Sequence, residues 1–236
     1  MGNIWAIAQR ELRSYFVSPV AYVVGALFLL ITGYLFAIIL GQSSEASLRP
    51  LFGNFAVIFL FIVPGLTMRL IAEEQRTGTL ELLLTAPVRD YELVLGKFLG
   101  VLLLLLAMLA ITLIYPAILL LAGNPDRGPM AAGYLGVILQ GAAFLAIGLF
   151  ASSLTQNQII AALLAFVILL LLWLSEALSQ FTGGRVGDFF RFLSITRHFD
   201  DFPRGVIDSR HVIFFLTIIA AALFFAVQSV QARRWR

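Results

Sequence analysis

Residues able to do chemistry gather in two stretches of this sequence. In 73–97, Glu73, Glu74 and Arg76 on one side, and Arg89, Asp90, Glu92 and Lys97 on the other, flank a leucine-rich patch. In 175–210, Ser194, His198, Asp200 and Asp201 supply the residue types of a nucleophile with a base. Their spacing matches no recognised constellation, and loops collect such residues for turn-making. Other reactive signatures are absent. Gly96-Lys97 runs straight into Phe98 with no preceding glycine loop, so the chain is not expected to cradle ATP phosphates itself. HExxH and GxSxG do not occur. Without cysteine there is no disulfide, thiolate metal site or cysteine nucleophile, and two histidines, His198 and His211, are too few for a convincing metal centre. No catalytic, cofactor-binding or metal-ligating residue is therefore assigned.

The elements that would hold these residues follow from composition. The chain is 61% hydrophobic and 12% charged, with a mean hydropathy of +0.97, against about 45–50% and about 25% in soluble domains. An all-α integral membrane protein is expected, with spans at 20–40, 55–71, 98–121, 134–151, 159–174 and 212–230, each close to the length that crosses about 30 Å of hydrocarbon. The first run exceeds the roughly 7–15 residues of a signal-peptide core and is kept as a helix. No remaining segment is long enough for a separate domain, so 1–236 is read as one membrane domain.

Ahead of the first span, Ile4, Trp5, Ala8, Leu12, Tyr15 and Phe16 share one helical face opposite Gln9, Arg10, Arg13 and Ser14, the pattern of a helix on the membrane surface. Glu11 falls at the apolar edge, where it is expected to pair with a neighbouring arginine or an adjacent subunit. Pro19 suits the start of the first span, whereas Pro64 and Pro116 should kink the second and third. The phenylalanine-rich segment 175–210 has the composition of short amphipathic helices at the far interface, and 152–158 that of a tight hairpin.

Polar residues at membrane depth are functional candidates by default, and here they are few: Gln140, with Thr32, Thr67 and Thr112 as milder cases and Glu176 near a span end. Gln140 is expected to hydrogen-bond between helices, and Glu176 to sit at the interface. An ion pump would need charges in mid-span, so energy is expected to enter elsewhere. Six crossings place both termini on one side. Nine lysines and arginines fall on that side and seven opposite, and those nearest the short loops favour cytoplasmic termini. The net charge of +3 comes from arginines beside apolar stretches rather than one basic block, an orientation signal and not a nucleic-acid footprint.

The segment between spans two and three carries the sharpest pattern. As a helix over 77–85, it stacks Thr77, Glu81 and Thr85 on one face and Leu80, Leu83 and Leu84 on the other, with Leu82 projecting from the polar side, where burial would need another protein. Pro87 stops it, and Asp90 with Glu92 complements the start of the next helix. The run Gly78-Thr79-Leu80-Glu81-Leu82-Leu83-Leu84-Thr85-Ala86-Pro87 resembles the coupling helix of ABC-2-type transporter permeases, closest to the gliding-motility-type branch. Arg10-Glu11-Leu12-Arg13-Ser14-Tyr15-Phe16 before Ser18-Pro19 resembles that family's amino-terminal elbow helix. The junction at 148–158 and the segment 204–208 before the last span also resemble it.

The resemblance implies a permease subunit of an ATP-driven transporter, most often an exporter, in a bacterial inner membrane. It implies ATPase coupling through Thr77, Gly78, Thr79, Leu80, Glu81, Leu82, Leu83, Leu84 and Thr85, and an elbow helix bearing Arg10, Glu11 and Arg13. Its expected partners are an ABC ATPase subunit that binds ATP and Mg, a second permease copy or related permease, and, in the gliding-type branch, an auxiliary membrane protein with an extracytoplasmic domain. Two other classes fit the residues: an intramembrane enzyme working on a lipid-linked substrate through 175–210, and a membrane scaffold without turnover. A lateral helix resting on the bilayer would by itself explain Leu80, Leu83 and Leu84.

Overall fold

A computed structural model describes residues 2–42, 47–79, 89–123 and 125–234. Among them the regular structure is helical: α1 (Gly2–Val17), α2 (Pro19–Gln42), α3 (Arg49–Thr67), α4 (Ala72–Thr77), α5 (Asp90–Thr112), α6 (Ile114–Ala122), α7 (Arg127–Leu154), α8 (Gln158–Phe181), α9 (Gly184–Leu193), α10 (Ile195–Phe199), a 3-10 turn (Phe202–Arg204) and α11 (Ser209–Arg234). Six stretches are long and apolar enough to cross a membrane: Pro19–Gln42, Arg49–Thr77, Asp90–Leu121, Arg127–Leu154, Gln158–Phe181 and Ser209–Ala232. The protein is an all-α, multi-pass membrane protein with six such spans.

The second, third and fourth helices begin six to eight residues earlier than the hydropathy windows suggest, at Arg49, Asp90 and Arg127. Their first turns are polar, so hydropathy detects only the part lying in hydrocarbon. The capping is nevertheless written in the sequence. Glu92 Oε2 accepts from the Arg89 backbone N–H at 3.0 Å, Asp126 Oδ1 accepts from Gly128 N at 3.1 Å, and Asn157 Oδ1 accepts from Ile159 N at 2.9 Å to start α8 after a short turn.

Two spans form the middle of the bundle. Within the structure 72% of the Arg49–Thr77 window and 78% of Arg127–Leu154 are buried, against 17% for Pro19–Gln42 and 22% for both Gln158–Phe181 and Ser209–Ala232. The last three therefore present most of their surface outward, to lipid or to other chains. In a bilayer, apolar side chains gain little by leaving lipid for one another, so close packing carries the association. On α7 a side chain at Gly133, Gly141 or Gly148 would collide with Phe52, Leu105 or Thr67 respectively. Phe28, Phe55, Phe59 and Phe144 fill the space between α2, α3 and α7 with mutually stacked and tilted rings.

Both internal prolines sit near helix breaks, each displaced from the proline. The third span breaks at Leu113, because Pro116 has no N–H to offer the carbonyl four residues back. That carbonyl, of Thr112, accepts the Tyr134 hydroxyl at 2.8 Å instead. The second span continues past Pro64 and ends at Thr67, with Met68 N donating to Pro64 O at 3.0 Å.

At the end of the bundle opposite α1, α9, α10 and the 3-10 turn form the expected short helices ahead of the last span. Phe202 anchors them, fully buried against Gly136 of α7 and near Phe215 of α11.

Candidate functional site

The most highly charged interior of the described structure lies where α1, α4 and α5 meet. Gly96 and Gly100, one turn apart, leave a notch on α5: a Cβ at Gly96 would come within 2.7 Å of Ile7, and one at Gly100 within 2.7 Å of Glu11. α1 settles into it with Ala8, Glu11 and Tyr15 buried. Trp5 and Phe16, assigned to that face from periodicity, are instead 53% and 47% exposed. The face that packs is rotated towards Glu11.

Glu11 thereby reaches Lys97, which is 1% exposed. Lys97 Nζ lies 3.2 Å from Glu11 Oε2 and 2.9 Å from Glu74 Oε1, and Arg10 Nη2 donates to the same Glu74 oxygen at 3.2 Å. Two cations and two carboxylates cancel, the condition under which charge survives burial. The expected partner of Glu11, an arginine or another subunit, is corrected to a lysine of the third span in the same chain. Arg13 is exposed and forms no ion pair among the described residues.

The start of α4 is also held by the end of α7, and the end of α3 beside it by α1. Ser152 of α7, fully buried, accepts from Ile71 N and Ala72 N at 3.1 Å each and donates to Met68 O at 3.1 Å. These are the backbone groups orphaned where α3 stops and α4 begins. Gln75 Nε2 donates to Ser153 O at 3.1 Å, and Ser229 of α11 donates to the same carbonyl at 3.0 Å. Tyr15 closes the α1 side: its hydroxyl donates to Leu66 O at 2.6 Å, with the Arg69 guanidinium 4.2 Å over its ring. Burial, reinforced by the Glu11 carboxylate, pushes this phenol well above its ordinary pKa and keeps the donor protonated. Arg69 also donates to Ser18 Oγ at 3.1 Å, at the corner between α1 and α2.

α4 is the described element leading into the segment singled out by sequence. Thr77, Gly78 and Thr79 lie exposed at its end. Thr77 closes α4, its hydroxyl donating to Glu73 O at 2.9 Å, and Gly78 takes a left-handed φ of 72°. A continuous helix starting at Thr77 is therefore corrected: Gly78 in this conformation terminates one helix and cannot lie inside another. Leu80, Glu81, Leu82, Leu83, Leu84 and Thr85 fall outside the described residues.

The other candidates resolve individually. Ser194, His198, Asp200 and Asp201 do not assemble a nucleophile with its base. The Ser194 hydroxyl caps α10 by accepting from Arg197 N at 3.2 Å, and His198 Nδ1 contacts the Ser194 carbonyl, not its hydroxyl, at 2.7 Å. His211, which spacing did not single out, reaches Asp201 at 2.9 Å. Gln140 is fully buried, but neither amide atom has a hydrogen-bond partner among the described residues, which corrects the expected interhelical bond. Glu176 is partly buried with Oε2 unpartnered. Thr32 and Thr112 each bond within their own helix and across to another, Thr32 to Phe28 O at 2.8 Å and the Tyr115 hydroxyl at 3.0 Å, Thr112 to Leu109 O at 2.7 Å and the Tyr134 hydroxyl at 3.1 Å. Among the described residues no three His, Asp or Glu side chains converge as metal ligands would.

Sequence reasoning placed Glu74 and Lys97 among the charges flanking 77–85 without pairing them with each other or with Glu11, and gave Ser152 no role of its own. Lys97 had a signal, a lone cation between Leu95-Gly96 and Phe98-Leu99 inside an otherwise apolar helix.

A search of curated proteins returns no match. The family described as ABC-2 family transporter protein matches residues 40–183, more than half of the chain, running from the end of α2 to the turn after α8. The matched stretch contains Glu74, the 77–85 segment, Lys97 and Ser152. With six membrane-crossing helices and a site built to hold helices together rather than to react, the chain belongs to the ABC-2 family of transporter proteins, as a permease subunit of an ABC transporter.

Proposed function

We propose that this permease is an exporter of a bacterial inner membrane with cytoplasmic termini, of the gliding-motility-type branch, driven by a separate ATPase subunit that binds ATP and Mg. Force from that subunit enters through 77–85 and is passed by α4 to the rest of the bundle. The observation that supports this reading is the way α4 is held: ion pairs through Glu74 to α1 and α5, and hydrogen bonds to the end of α7. A free surface helix needs no such attachment, whereas an element that transmits displacement does. A second permease copy, or a related one, completes the pathway, and an auxiliary protein with an extracytoplasmic domain accompanies it.

The experiment is co-purification of the ATPase with permease variants, alongside ATP hydrolysis in membranes. Helical periodicity in the sequence is what singles out Leu82, on the polar side of the pattern, and its neighbour in sequence Glu81. Leu82→Asp and Glu81→Lys should leave insertion intact while lowering ATPase retention, since removing a buried interfacial leucine costs roughly 1–3 kcal/mol. Wild-type retention and hydrolysis in both variants would remove the coupling role from this segment.

A further inference from the structure

At the end of the bundle remote from α1, the helices α9 and α10 and the first turns of α11 surround a cavity of about 740 Å³, within the range of small-molecule sites. Its lining divides by chemistry along α11. Arg191, Arg197 and Arg210 stand around the opening, and Ile213, Phe214 and Ile218 form a wall deeper in the span. From Ser209, where α11 starts, to Ile218 is about 14 Å of helix at 1.5 Å per residue, roughly one leaflet of a ~30 Å core. A guest here would have its polar part at the membrane surface and its apolar part in hydrocarbon.

The charge is unbalanced. Asp188 meets Arg191 only at 3.9 Å, and no ion pair includes Arg197 or Arg210 among the described residues. The two imidazoles beneath are fixed in place. His198 lies flat on Phe214, 3.7 Å between ring centroids, and His211 Nε2 sits 2.9 Å from Asp201 Oδ2. A carboxylate only accepts, so Nε2 donates to it. The Nδ1 of His211 is buried without a hydrogen-bond partner among the described residues.

We propose that this cavity binds an anionic phospholipid, taken from the leaflet opposite the termini. Its phosphate meets Arg197 and Arg210, and an acyl chain lies along Ile213, Phe214 and Ile218. This assignment rests on the six-span fold and does not depend on ATPase coupling.

Native mass spectrometry of the purified full chain in detergent tests it, with dioleoyl phosphatidylglycerol, dioleoyl phosphatidylcholine and glycerol-1-phosphate as probes. Phosphatidylglycerol should be retained at least about tenfold better than phosphatidylcholine. The Arg197→Gln/Arg210→Gln variant should abolish that preference, since two surface arginines at about fivefold each outweigh it. Thr217→Trp, which fills the apolar wall, should also release the lipid, whereas Arg185→Gln, on α9 but outside the cavity, should retain it. Should the double variant elute as aggregate, Arg210→Gln alone, at an exposed position, gives the same reading at about fivefold. Equal retention of the two lipids, or an unchanged preference without Arg197 and Arg210, would overturn the assignment. Competition by glycerol-1-phosphate as strong as that of the lipid would overturn it too, by showing a site for free anions.

Discussion

Replacing Lys97 by methionine tests whether the charge cluster holds the end of the bundle together. The new side chain matches the lysine stem in length and apolar character, so packing against α1 is largely kept and the change is electrostatic. Glu11 and Glu74, whose side chains are 11% and 15% exposed, would lose the cation they share at 3.2 and 2.9 Å. Arg10 remains near Glu74 but is 57% exposed, so Glu11 is left without compensation. Breaking a buried pair from one side costs about 3–5 kcal/mol, which for a chain of this size corresponds to a fall in Tm of roughly 6–20 °C. Thermal unfolding in detergent reads this directly, with retention of the ATPase subunit as a second measurement. Removing the stranded charges should rescue it: Glu11→Gln/Glu74→Gln/Lys97→Met should regain most of the lost Tm while remaining defective in coupling. A Lys97→Met Tm within about 2 °C of wild type, or a triple variant no more stable than the single one, would refute the buried-pair argument.

Four further outcomes are expected. Tyr134→Phe should cost about 1–3 kcal/mol by stranding the Thr112 carbonyl, and Pro116→Ala in the same chain should recover much of it by restoring the N–H that bonds there, both read by thermal unfolding. Ser152→Ala should raise hydrogen exchange at Ile71 and Ala72, whose N–H groups it satisfies; unchanged exchange would show that the start of α4 is held without the Ser152 hydroxyl. Burial lowers the pKa of His198 below 6.5, with His211 and Arg197 acting in the same sense and the Ser194 carbonyl and Glu176 opposing. The folded state then binds fewer protons, so the stability this residue lends is full above about pH 6.5 and declines as pH falls below it. Proteolysis between Arg185 and Arg204 should therefore be faster near pH 5.5 than near pH 7.5, and His198→Gln should flatten the difference, with Asp200, Asp201 and Arg204 unchanged nearby. Single cysteines at Ser44, Asn124 and Ser209 should react with an impermeant maleimide in intact cells, and those at Thr79 and Gln156 should not; the reverse pattern would invert the orientation.

Spans, hairpin and far-side helices were legible because each is set by local composition: apolar runs of the right length, a short polar interruption, phenylalanines among charges. The charge cluster was not, because it depends on which helix lies beside which. Nothing near Glu11 in sequence marks Lys97 as its partner 86 residues away. Trp5 and Phe16 misled for a related reason: periodicity detects an apolar face, and in a membrane that face has lipid as well as protein available to it. The helix start at Thr77 was missed because Gly78 reads equally well as a weak helix position and as a left-handed cap, and only the backbone distinguishes them. Family likeness pointed to 77–85 but says nothing about the hydrogen bonds of Ser152.

The seating of α1 in the notch of α5 also imposes an order in time. Glu11 leaves the ribosome long before its partner. With 86 residues between Glu11 and Lys97, synthesis at about 5–20 residues per second separates the two by roughly 4–17 s. Throughout that interval α1 has no groove to occupy, and its carboxylate must wait in the hydrated headgroup layer. Docking becomes possible only once the second span has crossed and the third has begun to insert. A nascent chain arrested short of Lys97 should therefore carry an α1 still open to protease, and one arrested well beyond it should protect the same helix. The buried charge pair thus records whether the first half of the protein has threaded correctly.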